Sequence, residues 1–103
     1  MALIISNSSK TLREFGPRRG GILLKRVRAL VDANTLEDVR YLPGHFHELI
    51  GDRKGQWACD LDQPYRLIFV PHEQPIPQNA DGKYLWIEIK GAELTGITNY
   101  HGK

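Results

Sequence analysis

Apolar and polar residues change their period once along the chain. Residues 2–6 are short and rich in isoleucine and predict an opening strand. Asn7, Ser8 and Ser9 supply capping side chains for a short helix over residues 10–15, which Gly16-Pro17 is expected to end. A second helix is expected from about Arg18 or Gly20 to Asp32. Its apolar residues Leu23, Leu24, Val27, Leu30 and Val31 recur three and four apart and make one stripe to bury. Thr35 to Asp38 reads as a capping box opening a short third helix, with Leu36, Val39 and Leu42 inward and Pro43-Gly44 ending it.

After Gly44 the period becomes two. Residues 46–50 and 56–61 predict strands joined by the turn 51–55, and Trp57, Cys59 and Leu61 alternate with Ala58 and Asp60, so one side is buried. Gln63-Pro64 turns the chain into a strand over 65–70, where Arg66 faces opposite to Leu67. Residues 71–82 hold three prolines and read as a polar loop. Residues 84–100 are β-rich, with a short strand or turn and then a strand from about 92 to 99. This order predicts an α+β fold filling residues 1–103 as a single domain. Its N-terminal strand and helices pack on one face of an antiparallel sheet of about four to five strands.

Composition fits one core: of 103 residues, 41% are hydrophobic and 25% charged, too apolar for a disordered tail. No apolar run approaches the roughly 20 residues a membrane helix needs, and the start lacks the basic and long apolar segments of a signal peptide. A cytoplasmic location with no membrane contact is expected. The single cysteine, Cys59, excludes an internal disulfide and a multi-cysteine zinc site. The net charge of +2 hides an asymmetry: residues 1–30 carry seven basic side chains against one acid, and the rest carry seven against eleven. Arg18, Lys25 and Arg28 fall on the helix face opposite the apolar stripe. Such a face suits phosphate or an acidic partner, or is simply a solvated helix surface.

Few residue patterns carry chemistry. His45 and His47 form an H-x-H pair with no third ligand nearby in sequence, so no metal and no cofactor are expected. His72 is expected to be exposed. Asp60 and Asp62 are expected to share a strand face as solvated charges, since so short a chain has little room for a sugar cleft. Cys59 alternates with buried positions and is expected to be packed rather than reactive. The sharper set is Arg53, Lys54 and Arg66, which a sheet can bring towards His47 and His101. Cations stabilise the extra charge of a pentavalent phosphorane, imidazole or phenol moves protons, and RNA supplies its own 2′-hydroxyl nucleophile. From the residues alone, generic basic binding stays open beside this reading.

The stretch His47-Glu48-Leu49-Ile50-Gly51-Asp52-Arg53-Lys54-Gly55-Gln56-Trp57 resembles the H-x-L-K-G-D-x-x-G-x-W signature of the HigB "killer protein" toxins, in the RelE/ParE superfamily. Tyr65-Arg66-Leu67-Ile68-Phe69 is similar to their W/Y-R-[IL]-x-F strand, and Asn99-Tyr100-His101 to their terminal D-Y-H. The likeness runs over nearly the whole chain. It implies a RelE-like fold and the toxin of a type II toxin–antitoxin system of the kind that maintains plasmids. The implied activity is a ribosome-dependent, metal-independent mRNA endoribonuclease that inhibits translation. The implied partners are the ribosome, mRNA and a helix-turn-helix antitoxin of HigA type, with operator DNA reached only through the antitoxin. By position, His47 and His101 become proton-transfer groups, Tyr100 orients RNA, Arg66 stabilises phosphate, and Arg53 and Lys54 contact RNA. Asn99 stands where the family has an acid and Ile50 where it has a lysine, so weaker activity is expected. An amide can orient a neighbour but cannot accept a proton at neutral pH. A gyrase-poisoning toxin of ParE type and a catalytically weak corepressor of the antitoxin remain the alternatives.

Overall fold

Strands from both ends of the chain meet in one five-stranded sheet of order β1-β5-β4-β3-β2. They are β1 (Ala2–Ile5), β2 (His47–Glu48), β3 (Trp57–Asp60), β4 (Tyr65–Pro71) and β5 (Gly91–Asn99). This computed structural model describes residues 1–6 and 10–99, without the side chains of residues 10–20. β2 to β5 form the expected antiparallel meander. β1 instead runs parallel to β5, with Leu3 beside Ala92 and Ile5 beside Leu94, so the sheet is mixed rather than antiparallel. No hairpin joins these two strands, so no turn dictates their relative direction.

One helix, α1 (Lys10–Asp32), replaces the two expected. Proline lacks an N–H and its ring clashes with the Cβ of the preceding residue. Gly16 has no Cβ, so that clash is largely absent and the helix continues through Pro17. The expected third helix contracts to a 3-10 turn, Leu36–Val39. The Asp38 carboxylate accepts from the Asn34 and Thr35 amides at 2.8 and 3.4 Å, while the Leu36 amide donates to Ile89 O at 2.9 Å and ties the turn to the far side of the core.

The core lies between α1 and one face of the sheet. Trp57 and Cys59 of β3, Leu67 and Phe69 of β4, and Ala92 and Leu94 of β5 meet Leu30, Leu36, Val39, Phe46, Trp86 and Ile89. Leu23 and Val27 pack on this cluster, but Leu24 and Val31 are 63% and 48% exposed and Leu42 is 44% exposed. Leu24 and Val31 each sit about 100° round the helix from half-buried Leu23 and buried Leu30, which turns them outward beside Arg28. A bulge in β5 lets Leu94 and Ile97, an odd number apart, face the same core. Ile68 pairs with Gly96 but Phe69 pairs with Leu94, and Thr95 Oγ1 closes the gap by donating to Ile68 O at 3.2 Å.

Candidate functional site

The other face of the sheet collects the polar side chains. Alternation turns Ala58 and Asp60 of β3 and Arg66 and Ile68 of β4 away from the core. Two cross-strand rows result: His47, Ala58, Ile68 and Gly96, then Asp60, Arg66 and Thr98. Ala58, Ile68 and Leu49 form a small apolar cluster under the first row. His47 and Arg66 are two strand spacings apart, roughly 10 Å, and one row out of step.

His45 fills the space between them. The chain turns at Pro43-Gly44, Gly44 adopts φ 116°, and His45 itself sits at φ 52°, in the left-handed region. The Asp60 amide donates to Gly44 O at 2.7 Å and locks this turn to the end of β3. The His45 and His47 rings stack, centroids 4.1 Å apart and 17° from parallel. His45 Nδ1 lies 3.8 Å from Asp60 Oδ2, too long for a hydrogen bond but close enough for an ion pair when the imidazole is protonated. His47 Nδ1 is 2.7 Å from His45 O. A carbonyl only accepts, so Nδ1 carries the proton and Nε2 is left to exchange one. Asp60 Oδ1 is buried with no hydrogen-bond partner among the described residues. The helix supports the arrangement from the other side, where Arg26 Nε donates to Asp60 O at 2.7 Å.

His47 and Arg66, then, share a face with Thr98, which the sequence did not point to, and with His45 and Asp60, which it offered only as a metal pair and a carboxylate pair and not as part of this site. Asp60 could have been found, because alternation with Ala58 and pairing with the Arg66 strand place it there. His45 could not, since a left-handed turn leaves no periodic signal. Asp62 is not on the strand with Asp60; it lies in the turn, accepting from the Tyr65 amide at 2.7 Å. Asn99 pairs with Tyr65, so it alternates away from Arg66. Tyr100 and His101 lie outside the described residues, as does the side chain of Arg18. Lys25 and Arg28 are exposed on α1. Arg53 and Lys54 diverge. Arg53 Nη1 donates to Gln56 Oε1 at 3.1 Å, in line with Ala58 and Asp60, whereas Lys54 lines a separate cavity with Glu48 on the core side of β2.

Cys59 is fully buried between these layers, and burial pushes its thiol up to about 12, against a smaller pull from Arg26 and with a smaller push from Asp60. It is a neutral packing group. Among the described residues no three His, Cys, Asp or Glu side chains converge on a metal position, and no helix is long and apolar enough to cross a membrane.

No protein-family model matches the chain, and no curated protein matches it. Among solved structures it is similar to one described as a YoeB/ParE toxin from Agrobacterium tumefaciens. The match covers 98% of this chain and 100% of that one, with a TM-score of 0.56 and 15% identity. The two share their architecture: this chain has the fold of a YoeB/ParE toxin.

Proposed function

We propose that the protein is the toxin of a type II toxin–antitoxin pair, of HigB kind, and that it cuts ribosome-bound mRNA without a metal. The observation that carries this reading is the shared sheet face on which Arg66 and Asp60 stand as cross-strand neighbours beside the stacked His45 and His47 rings. The toxin fold and the H-x-L-x-G-D-x-x-G-x-W spacing support it from two other directions.

In the reaction a base takes the proton of the ribose 2′-hydroxyl, and the 2′-oxygen bonds to the adjacent phosphorus. The bond from phosphorus to the 5′-oxygen then breaks, and an acid returns a proton to that oxygen. The products are a 2′,3′-cyclic phosphate and a 5′-hydroxyl end. Arg66 stabilises the phosphorane, a planar guanidinium matched to two phosphate oxygens. His47, with Nδ1 engaged, offers Nε2 for one proton transfer, and His101 is assigned the other, with Tyr100 and Asn99 orienting RNA beside it. Arg53 and the helix cations Arg18, Lys25 and Arg28 hold RNA more distantly. A helix-turn-helix antitoxin of HigA type neutralises the toxin in the cytoplasm and carries the pair to operator DNA.

The test is cleavage of a defined mRNA on purified ribosomes. Arg66→Ala and His47→Ala are each expected to lower the rate about 10²-fold or more while leaving the melting temperature within a few degrees. Rates equal to wild type would discard those roles. DNA damage without mRNA cleavage would move the protein to the gyrase-poisoning class, and harmless overexpression would make it a binding partner only.

A further inference from the structure

The cavity that holds Lys54 lies across the sheet from the His47 and Arg66 face, and nothing in the cleavage reading uses it. Its volume is about 460 Å³, within the range of small-molecule sites, and it is walled by Arg40, Glu48, Lys54, Asn79, Lys83 and Tyr84. Four of these walls are held by their own contacts. The Arg40 guanidinium sits 4.6 Å over the Trp86 ring, and its Nη1 donates to Glu37 Oε1 at 3.1 Å. Glu48 Oε2 accepts from the buried Trp86 indole at 2.6 Å. Tyr84 packs on Trp57, centroids 5.4 Å apart. The loop tip is fixed by Asn79, whose Oδ1 accepts from the amides of Asp81 and Lys83 at 2.9 and 3.0 Å, with Gly82 at φ 80° completing the turn. The Asn79 amide group still carries donor hydrogens at the cavity wall. Lys54 and Lys83 are exposed and have no carboxylate partner among the described residues.

We infer that this pocket is a second phosphate site, taking the phosphoryl group and ribose of a nucleotide, apart from the face proposed for cleavage. Arg40 is already paired with Glu37, so Lys54 and Lys83 beside the single carboxylate of Glu48 leave an excess of one positive charge, which suits a phosphate. Glu48 decides the rest of the ligand. An acidic peptide side chain entering beside it meets like charge, whereas ribose hydroxyls can donate to it. Arg40, Glu48, Tyr84 and the loop tip are preformed, so only the two lysines need ordering on binding. β2 spans only two residues, too short an edge for an extended peptide to add a strand. The ligand's phosphate can come from a free nucleotide or from an RNA strand. The inference stands whether or not the other face cuts RNA.

The experiment is titration of the full chain with AMP, read by calorimetry and by fluorescence of the adjacent tryptophans. Wild type is compared with Lys54→Ala/Lys83→Ala, with Lys83→Ala alone, with Arg66→Ala, and with Lys90→Ala as a charge control. The expected result is one saturable site that weakens as salt rises. Its affinity falls about tenfold or more in the double variant, as loss of charge-assisted hydrogen bonds demands, and is unchanged in Arg66→Ala and Lys90→Ala. Lys83 is on an exposed loop, so its single variant keeps the test valid if the double variant misfolds; a severalfold loss is expected there. A short single-stranded RNA that displaces AMP assigns the site to a strand phosphate, and RNA that binds without displacing AMP assigns it to a free nucleotide. Absence of saturable AMP or RNA binding overturns the inference. So does loss in Arg66→Ala with none in the lysine variants, or a glutamate-rich peptide that displaces AMP and binds more tightly.

Discussion

His45 sits at φ 52°, where a side chain costs about 1–2 kcal/mol relative to glycine. Its ring is nonetheless stacked on His47 and turned to Asp60, so the cost is borne at the proposed site. His45→Gly is therefore expected to keep or slightly raise the melting temperature while lowering cleavage; a fall in stability with unchanged cleavage would make the residue structural only. Cys59 gives a second prediction. Its thiol is pushed from 9.0 to about 12 by burial, so the unfolded chain loses this proton first as pH rises. The thiol's contribution to stability is full below about pH 9 and is lost as pH climbs towards 12. Urea denaturation between pH 8 and 11 should show a fall that is shallower in Cys59→Ala, and an identical slope in the variant would contradict this. The facing of Arg66 was legible from its alternation against Leu67. The register that turns Asn99 away from Arg66 was not legible, because a motif position says nothing of strand pairing.

The joint between α1 and the end of β3 depends on one close approach. A Cβ on Gly44 would stand 2.7 Å from Arg26 Nε, and Gly44 is at φ 116°. Arg26→Ala removes the bond to Asp60 O and is expected to cost about 1–2 kcal/mol, a drop of roughly 5–10 °C in melting temperature. Gly44→Ala should cost more, from the clash and the backbone strain together. The double variant should be less destabilised than the two losses added, because the clash vanishes with the arginine; strict additivity would contradict the geometry. Element types were readable from period, but element ends were not. Gly16-Pro17 reads as a stop, because proline lacks an N–H and crowds the carbonyl four residues back, yet the helix runs through it. Residues 35–42 carry helical spacing, yet the Leu36 amide is taken by Ile89 O, a long-range bond invisible in a local pattern. The β5 bulge hides likewise in a strand whose core residues Leu94 and Ile97 break a period of two.

Across the whole molecule, the two glycines of G-D-x-x-G shape the passage from β2 to β3. Gly51 and Gly55 stand at φ 65° and 94°, where other residues are strained, so the turn between β2 and β3 needs them. The turn also sends Arg53 and Lys54 to opposite sides of the sheet, which no count along the sequence reveals. Helical cover on one face of a meander was legible from hydrophobic period, but not that a single helix supplies it; the parallel β1 was not legible either, because partners from opposite ends of a chain share no turn. The exposed Lys25 and Arg28 on α1 predict ribosome binding that weakens steeply with salt, and less steeply in the Lys25→Ala/Arg28→Ala variant. If the Arg66 face breaks an RNA phosphodiester through its own 2′-hydroxyl, end-group analysis of ribosome-bound mRNA, after incubation with wild type and with folded Arg66→Ala, decides it. Wild type should leave 2′,3′-cyclic phosphate and 5′-hydroxyl ends, and the variant almost none. Intact mRNA with active wild-type protein, or equal cleavage by both proteins, would contradict it.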